Sequence, residues 1–173
     1  AKLTTNVIPN LTTAQVAALT VAQVAALTTD QVRALETADV LALTVQQVAV
    51  LTTAQFSALT SGQLVALSTA QVAAITTADL NTLSTAMIQS LTSTQIAALT
   101  TAQLASLTVA QVKALETADI AALSTSQVLA LTTAQVAALT TDQVVALSTR
   151  QVESLSLAQI AALTVTQLEA MET

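Results

Sequence analysis

The stretch Leu131-Thr132-Thr133-Ala134-Gln135-Val136-Ala137-Ala138, followed at once by Leu139-Thr140-Thr141-Asp142-Gln143-Val144-Val145-Ala146, decides how this chain folds. It is one octapeptide written twice, and the same octapeptide fills the sequence from Leu3 onward. Position 1 is Leu throughout, except for Ile75 and Met171. Position 2 is always Thr, Ser or Glu, as at Thr12, Glu36, Ser68 and Glu116. Position 5 is usually Gln and sometimes Asp, at Asp39, Asp79 and Asp119, with Val7 and Met87 as departures. Position 6 is always apolar, as at Val16, Phe56, Leu64 and Ile88, and position 8 stays small. Variety and charge collect at positions 4 and 7, among them Asp30, Arg33, Lys113, Asp142, Arg150, Glu153 and Glu169.

Each octad carries the signature of a helix start. Thr or Ser at position 2 and Gln at position 5 stand in the relation of a capping box, in which each side chain satisfies the other residue's backbone N–H. Leu at position 1 and Val at position 6 take the places of a hydrophobic staple. Between one start and the next there is room for about six helical residues, under two turns.

Three other architectures fail on arithmetic. A single continuous helix would rotate its Leu stripe by about 80° per octad beyond two full turns, which leaves no apolar face. A β-solenoid would place positions 1 and 6 on opposite faces and would want Gly, Asn or Asp at its corners, and the only glycine is Gly62. A helical hairpin of two octads would make odd and even octads differ, and they do not. The expected fold is therefore all-α: a solenoid, or superhelix, of tandem very short helices, one per octad, with Leu, Val and Ala inside. Residues 1–10 read as an irregular entry or cap repeat containing Pro9, residues 11–170 as the array, and residues 171–173 as a truncated next repeat of an array cut from a longer one. Helices this short are marginal alone, so each depends on its neighbours.

Composition restricts the chemistry. The 173 residues include no Cys and no His, which removes the commonest general base, the commonest nucleophile and the usual zinc and iron–sulfur ligands. A net charge of −6, with only Lys2, Arg33, Lys113 and Arg150 as cations, offers no basic patch for nucleic acid. Mean hydropathy is +0.71, yet Thr, Ser or Gln recurs every few residues and interrupts any run long enough for a membrane-spanning helix. No basic segment leads into an apolar run at the start, so no signal peptide is expected there.

The acidic pairs Glu36/Asp39 and Glu116/Asp119 are spaced to share a helix face. A calcium site takes about six to eight oxygens and a glycine turn, so these pairs read as helix caps favoured by the dipole. No catalytic, cofactor-binding or metal-binding residue is assigned, and no cofactor is expected. Asp recurs at 39, 79 and 119, forty residues apart. That spacing fits either about five octads per superhelical turn or the duplication of a longer block. Position 3 is mostly Thr, replaced by Val21, Val45, Val109, Val165 and Leu157, so its methyl shape matters more than its hydroxyl. It reads first as packing against the adjacent coil, and otherwise as an exposed methyl and hydroxyl ladder like the ice-binding faces of repetitive antifreeze proteins.

Units such as Leu131 to Leu139 resemble the L-T/S-x-x-Q-V/I-x-A-L repeats in long low-complexity regions of large bacterial secreted and surface proteins. That resemblance implies a non-enzymatic stalk, spacer or scaffold in an extracellular or cell-surface protein. Its partner would be an unknown protein or another copy met through the solenoid surface, with no nucleic acid and no membrane insertion. The opening of transcription-activator-like effector repeats is similar over nine residues, but nothing here matches their base-reading loop. A binding surface at positions 4 and 7, and an engineered array, are the other readings of the same regularity.

Overall fold

A computed structural model describes residues 7–172. Lys2, the opening of the first octad (residues 3–6) and Thr173 fall outside the described residues. Twenty α-helices follow one another from Thr13–Ala17 to Val165–Ala170, after a 3-10 turn at Ile8–Asn10, and there is no strand among the described residues. Each helix has four to six residues and occupies one octad. The expected architecture of serial short helices is what forms.

The turn between helices explains why the chain needs almost no glycine. Leu131 (φ −62°, ψ 138°) and Thr132 (φ −70°, ψ 157°) are consecutive extended residues, and they redirect the chain from one helix to the next. Leu43 and Thr44 do the same. No described residue has a positive φ, so no position requires the left-handed conformation that favours Gly. Pro9 lies in the first turn of the entry 3-10 helix, where its missing N–H costs nothing, and Ile8 beside it is fully buried.

The chain divides into two compact units, Ala1–Leu83 and Ser84–Thr173. Within the first, each helix packs against the one three octads further along: Thr13–Ala17 against Thr37–Ala42, and Thr53–Ser57 against Thr77–Leu80. The second repeats the rule, with Ser93–Ala97 against Thr117–Ala122 and Thr133–Ala138 against Leu157–Ala162. A coil thus closes after between three and four octads. The expectation of about five octads per turn is overturned: the forty-residue recurrence of Asp belongs to the sequence and not to the winding.

Positions 1 and 6 form the core. Val72, Leu80, Leu104, Val112 and Ile120 are fully buried, and Leu residues at position 1 such as Leu67, Leu107 and Leu131 are almost so. The single aromatic, Phe56, takes a position-6 place and is buried as well. Position 7 lies outside, at Arg33, Leu41, Lys113 and Glu153. Position 3 corrects the packing expectation in part. It is mostly exposed, yet it borders the seam: a Cβ on Gly62 would lie 3.9 Å from the Thr37 methyl, and the Ser93 hydroxyl donates to Asp119 across 2.7 Å. At these two places position 3 of one coil meets position 4 or 5 of the next.

Candidate functional site

A helix of five residues is almost entirely made of ends. The first four N–H groups and last four C=O groups of any helix lack intrahelical partners, so nearly every backbone group here needs a partner from elsewhere. The N-terminal half of that need is met as the spacing predicts. In the helix Thr69–Ala73 the Ser68 hydroxyl accepts from the Gln71 N–H at 3.3 Å, and the Gln71 Oε1 accepts from the Ser68 N–H at 2.7 Å. The same box closes at Thr132/Gln135 and Thr140/Gln143.

The other end of the same side chain is the feature that sequence reasoning missed. The Gln71 Nε2 donates to the carbonyls of Leu43 (2.6 Å), Val40 (3.0 Å) and Leu41 (3.3 Å). These are the last carbonyls of the helix Thr37–Ala42 and of the residue after it, one coil back. Gln47 reaches Leu19, Val16 and Ala17 in the same way, and Gln55 reaches Leu27, Val24 and Ala25. In the second unit Gln135 reaches Leu107 and Leu104, and Gln159 reaches Leu131 and Val128. One glutamine therefore closes the N-terminus of its own helix and the C-terminus of a helix 28 to 31 residues earlier. These glutamines are buried, most to about the depth of the leucines: Gln47, Gln55, Gln63, Gln71 and Gln135 are each 2% exposed. A buried amide is tolerated where its donors and acceptor are all used.

The aspartates occupy the same buried place without the donor. Asp119 accepts from the Glu116 N–H at 2.8 Å and, through its other oxygen, from Ser93 one coil back. The direction of donation across the seam is reversed there. Asp39 accepts from the Glu36 N–H at 3.2 Å. Both acidic pairs thus act in capping, as their position predicts, and no cluster of three or more potential metal-binding residues occurs among the described residues. Asp79 accepts only from its own cap, the Thr76 hydroxyl at 2.6 Å, and has no hydrogen to give the carbonyl of Leu51 that a glutamine in its place would reach. Replacing Asp79 with Gln is expected to raise stability by about 1–2 kcal/mol, since it supplies a donor to orphaned carbonyls and removes a buried charge. Asp119→Gln should gain less, because it forfeits the Ser93 bond. A comparison of urea midpoints for the two variants checks this ordering, and a destabilised Asp79→Gln protein would contradict it.

The sequence model of the ALTTAQ repeat matches residues 1–29, 32–69, 72–109, 112–149 and 144–173. The chain belongs to the ALTTAQ repeat family. Three of the ALTTAQ matches begin at 32, 72 and 112, the spacing already seen in the aspartates. Each of these three matches spans 38 residues, more than the 28 to 31 residues that separate a glutamine from the carbonyls it caps. No curated protein and no solved structure matches the chain. Among the described residues no helix is long and apolar enough to cross a membrane. Within each unit of the ALTTAQ array the same contact recurs, the position-5 glutamine on the preceding coil, as at Gln47, Gln55, Gln63 and Gln71 in the first and Gln135, Gln143, Gln151 and Gln159 in the second.

Proposed function

We propose that this ALTTAQ array is a non-enzymatic spacer, a stalk or scaffold segment of an extracellular or cell-surface protein, whose reach is set by its number of octads. The observation that supports this reading is the repetition of the glutamine contact at one register. Gln47 and Gln71 in one unit and Gln135 and Gln159 in the other bond the preceding coil at the same separations. An interface that repeats unchanged lets length grow by addition without redesign of any part. Small-angle scattering on arrays that differ by whole coils tests it. The maximum dimension should rise by the same increment with each added coil, and a dimension that stays constant would refute the proposal.

A second reading has an observation of its own. The charged residues at positions 4 and 7, including Asp30, Arg33, Lys113, Arg150 and Glu153, are all exposed, so a protein partner could read them. That reading requires a partner whose capture is lost on substitution of Arg33, Lys113 or Glu153 with no change in melting.

A further inference from the structure

At a seam closed by glutamine, three carbonyl oxygens converge on one point. The Gln71 Nε2 stands there, 2.6, 3.0 and 3.3 Å from the oxygens of Leu43, Val40 and Leu41. Gln55 and Gln63 sit among their own carbonyls in the same way. Asp79 is the next position 5 after Gln71. The carbonyls that correspond to it, those of Val48, Ala49 and Leu51, belong to the end of the helix Val45–Ala49 and the residues after it. No side-chain amide reaches them among the described residues, and those of Ala49 and Leu51 accept no hydrogen bond there from the backbone either.

What meets these carbonyls is a carboxylate. Asp79 is 3% exposed, and its Oδ2 accepts from the Thr76 hydroxyl at 2.6 Å. Its Oδ1 receives no hydrogen bond among the described residues. Asp119 shows where that second oxygen lies: its Oδ2 takes the cap N–H, and its Oδ1 accepts from Ser93, one coil back. Thr53 precedes Asp79 by the same 26 residues that separate Ser93 from Asp119, and its helix packs on that of Asp79. No described side-chain oxygen is both sealed from solvent and unpartnered, so Asp79 Oδ1 keeps a path to water. A carboxylate set against helix-end carbonyls is a concentration of negative charge, and the carboxyl end of a helix favours a cation.

We propose that Asp79, the carbonyls of Val48, Ala49 and Leu51, and the Thr53 hydroxyl bind one calcium ion, which joins two coils where no glutamine does. Calcium takes about six to eight oxygens at about 2.3–2.6 Å in a flexible arrangement. The main chain supplies most of them here and water completes the shell, so no cluster of acidic side chains is needed. Aspartate is one methylene shorter than glutamine, and the ion fits between its oxygen and the carbonyls. Magnesium demands a near-ideal octahedron at about 2.0–2.1 Å and sheds water reluctantly, which carbonyls fixed on a helix end do not suit. A single carboxylate sets the affinity at the weak end, with Kd about 10⁻⁴–10⁻³ M. The other position-5 aspartates differ. Ser93 occupies the second oxygen of Asp119, and the residues one coil before Asp39 form the 3-10 turn Ile8–Asn10 in place of an α-helix end. A spacer without the ion keeps its reach, so this proposal and the spacer reading fail separately.

Equilibrium dialysis with calcium-45 and thermal melts, on the 173-residue chain stripped of divalent ions by a chelator, test it. The wild-type chain should bind one ion, and CaCl2 at about 10 mM should raise its Tm by about 3–5 °C. MgCl2, or NaCl at matched ionic strength, should raise it by less than half as much. Asp79→Asn keeps the size of the side chain and an acceptor for the Thr76 hydroxyl but removes the charge, and it should lose both the ion and the shift. Asp79→Gln, expected to be more stable than wild type without calcium, should see that advantage shrink as calcium is added. A wild-type chain that binds no calcium up to about 10 mM, an equal shift with magnesium, or a calcium shift that survives in Asp79→Asn would overturn the proposal.

Discussion

Substituting Gln71 with glutamate should cost about 3–5 kcal/mol at neutral pH, the penalty of an uncompensated buried charge. The change is nearly isosteric and preserves the helix start, since a carboxylate at this position accepts from the Ser68 N–H as well as an amide does. What it destroys is the donor. The Nε2 now held by Leu43, Val40 and Leu41 becomes an oxygen facing three carbonyl oxygens at a site only 2% exposed. Burial and those carbonyls both disfavour ionisation, so the carboxyl pKa in the folded variant rises above the unfolded value of about 4.3. Between the two pKa values the folded state holds more protons than the unfolded state, and stability falls as pH rises through that window. The loss is therefore complete above the folded pKa and is recovered toward about pH 4, where the protonated acid can donate again. Melting of wild-type and variant chains at pH 7 and pH 4 measures this. A deficit of equal size at both pH values would show that the amide contributes by shape and not by donation.

Leu104→Ala should cost about 2–5 kcal/mol, the range for an emptied core position, while Leu168→Ala should cost less than about 1 kcal/mol. Both residues stand at position 6 of an octad, with similar local sequence. Leu104 is fully buried where Thr101–Ser106 packs against Thr125–Ala130, whereas Leu168 is 44% exposed with no coil over it. The Leu104 carbonyl still accepts from Gln135 in the variant, so the measurement isolates apolar burial from the glutamine contact. In a linear array an interior defect also uncouples the octads on either side, which should lower the denaturant dependence of the transition along with its midpoint. Urea unfolding distinguishes the two positions. Equal losses would mean that burial under the next coil contributes nothing to stability.

The helix starts were legible because they are local. A hydroxyl at position 2, an amide at position 5 and an apolar residue on either side predict a capping box and staple within six residues, and the structure forms the box wherever glutamine stands at position 5, from Thr12/Gln15 to Thr164/Gln167. The all-α class and the core positions follow from the same short range. The second role of glutamine left one trace that could have been read. Position 5 is never glutamate in any octad, although glutamate serves a capping box equally well and suits the helix dipole better. A residue that is the weaker choice locally is held there by something distant. The family match to ALTTAQ repeats likewise reports the local motif and not the winding.

The number of octads in a coil, by contrast, could not be read from the repeat, and the recurrence of aspartate pointed to the wrong value. The angle between successive helices depends on how Leu43 and Thr44 extend the chain and on where the amide of Gln71 finds its carbonyls. An octapeptide alone contains neither the partner coil nor the separation of 28 residues at which it lies. The sequence by itself determined that a helix begins every eight residues and which side chains are apolar, because capping and periodicity act within one octad. Tertiary structure alone decided how many octads close a coil, because that depends on where a buried glutamine can use both ends of its amide, and the second end is satisfied only by backbone that the first cannot specify.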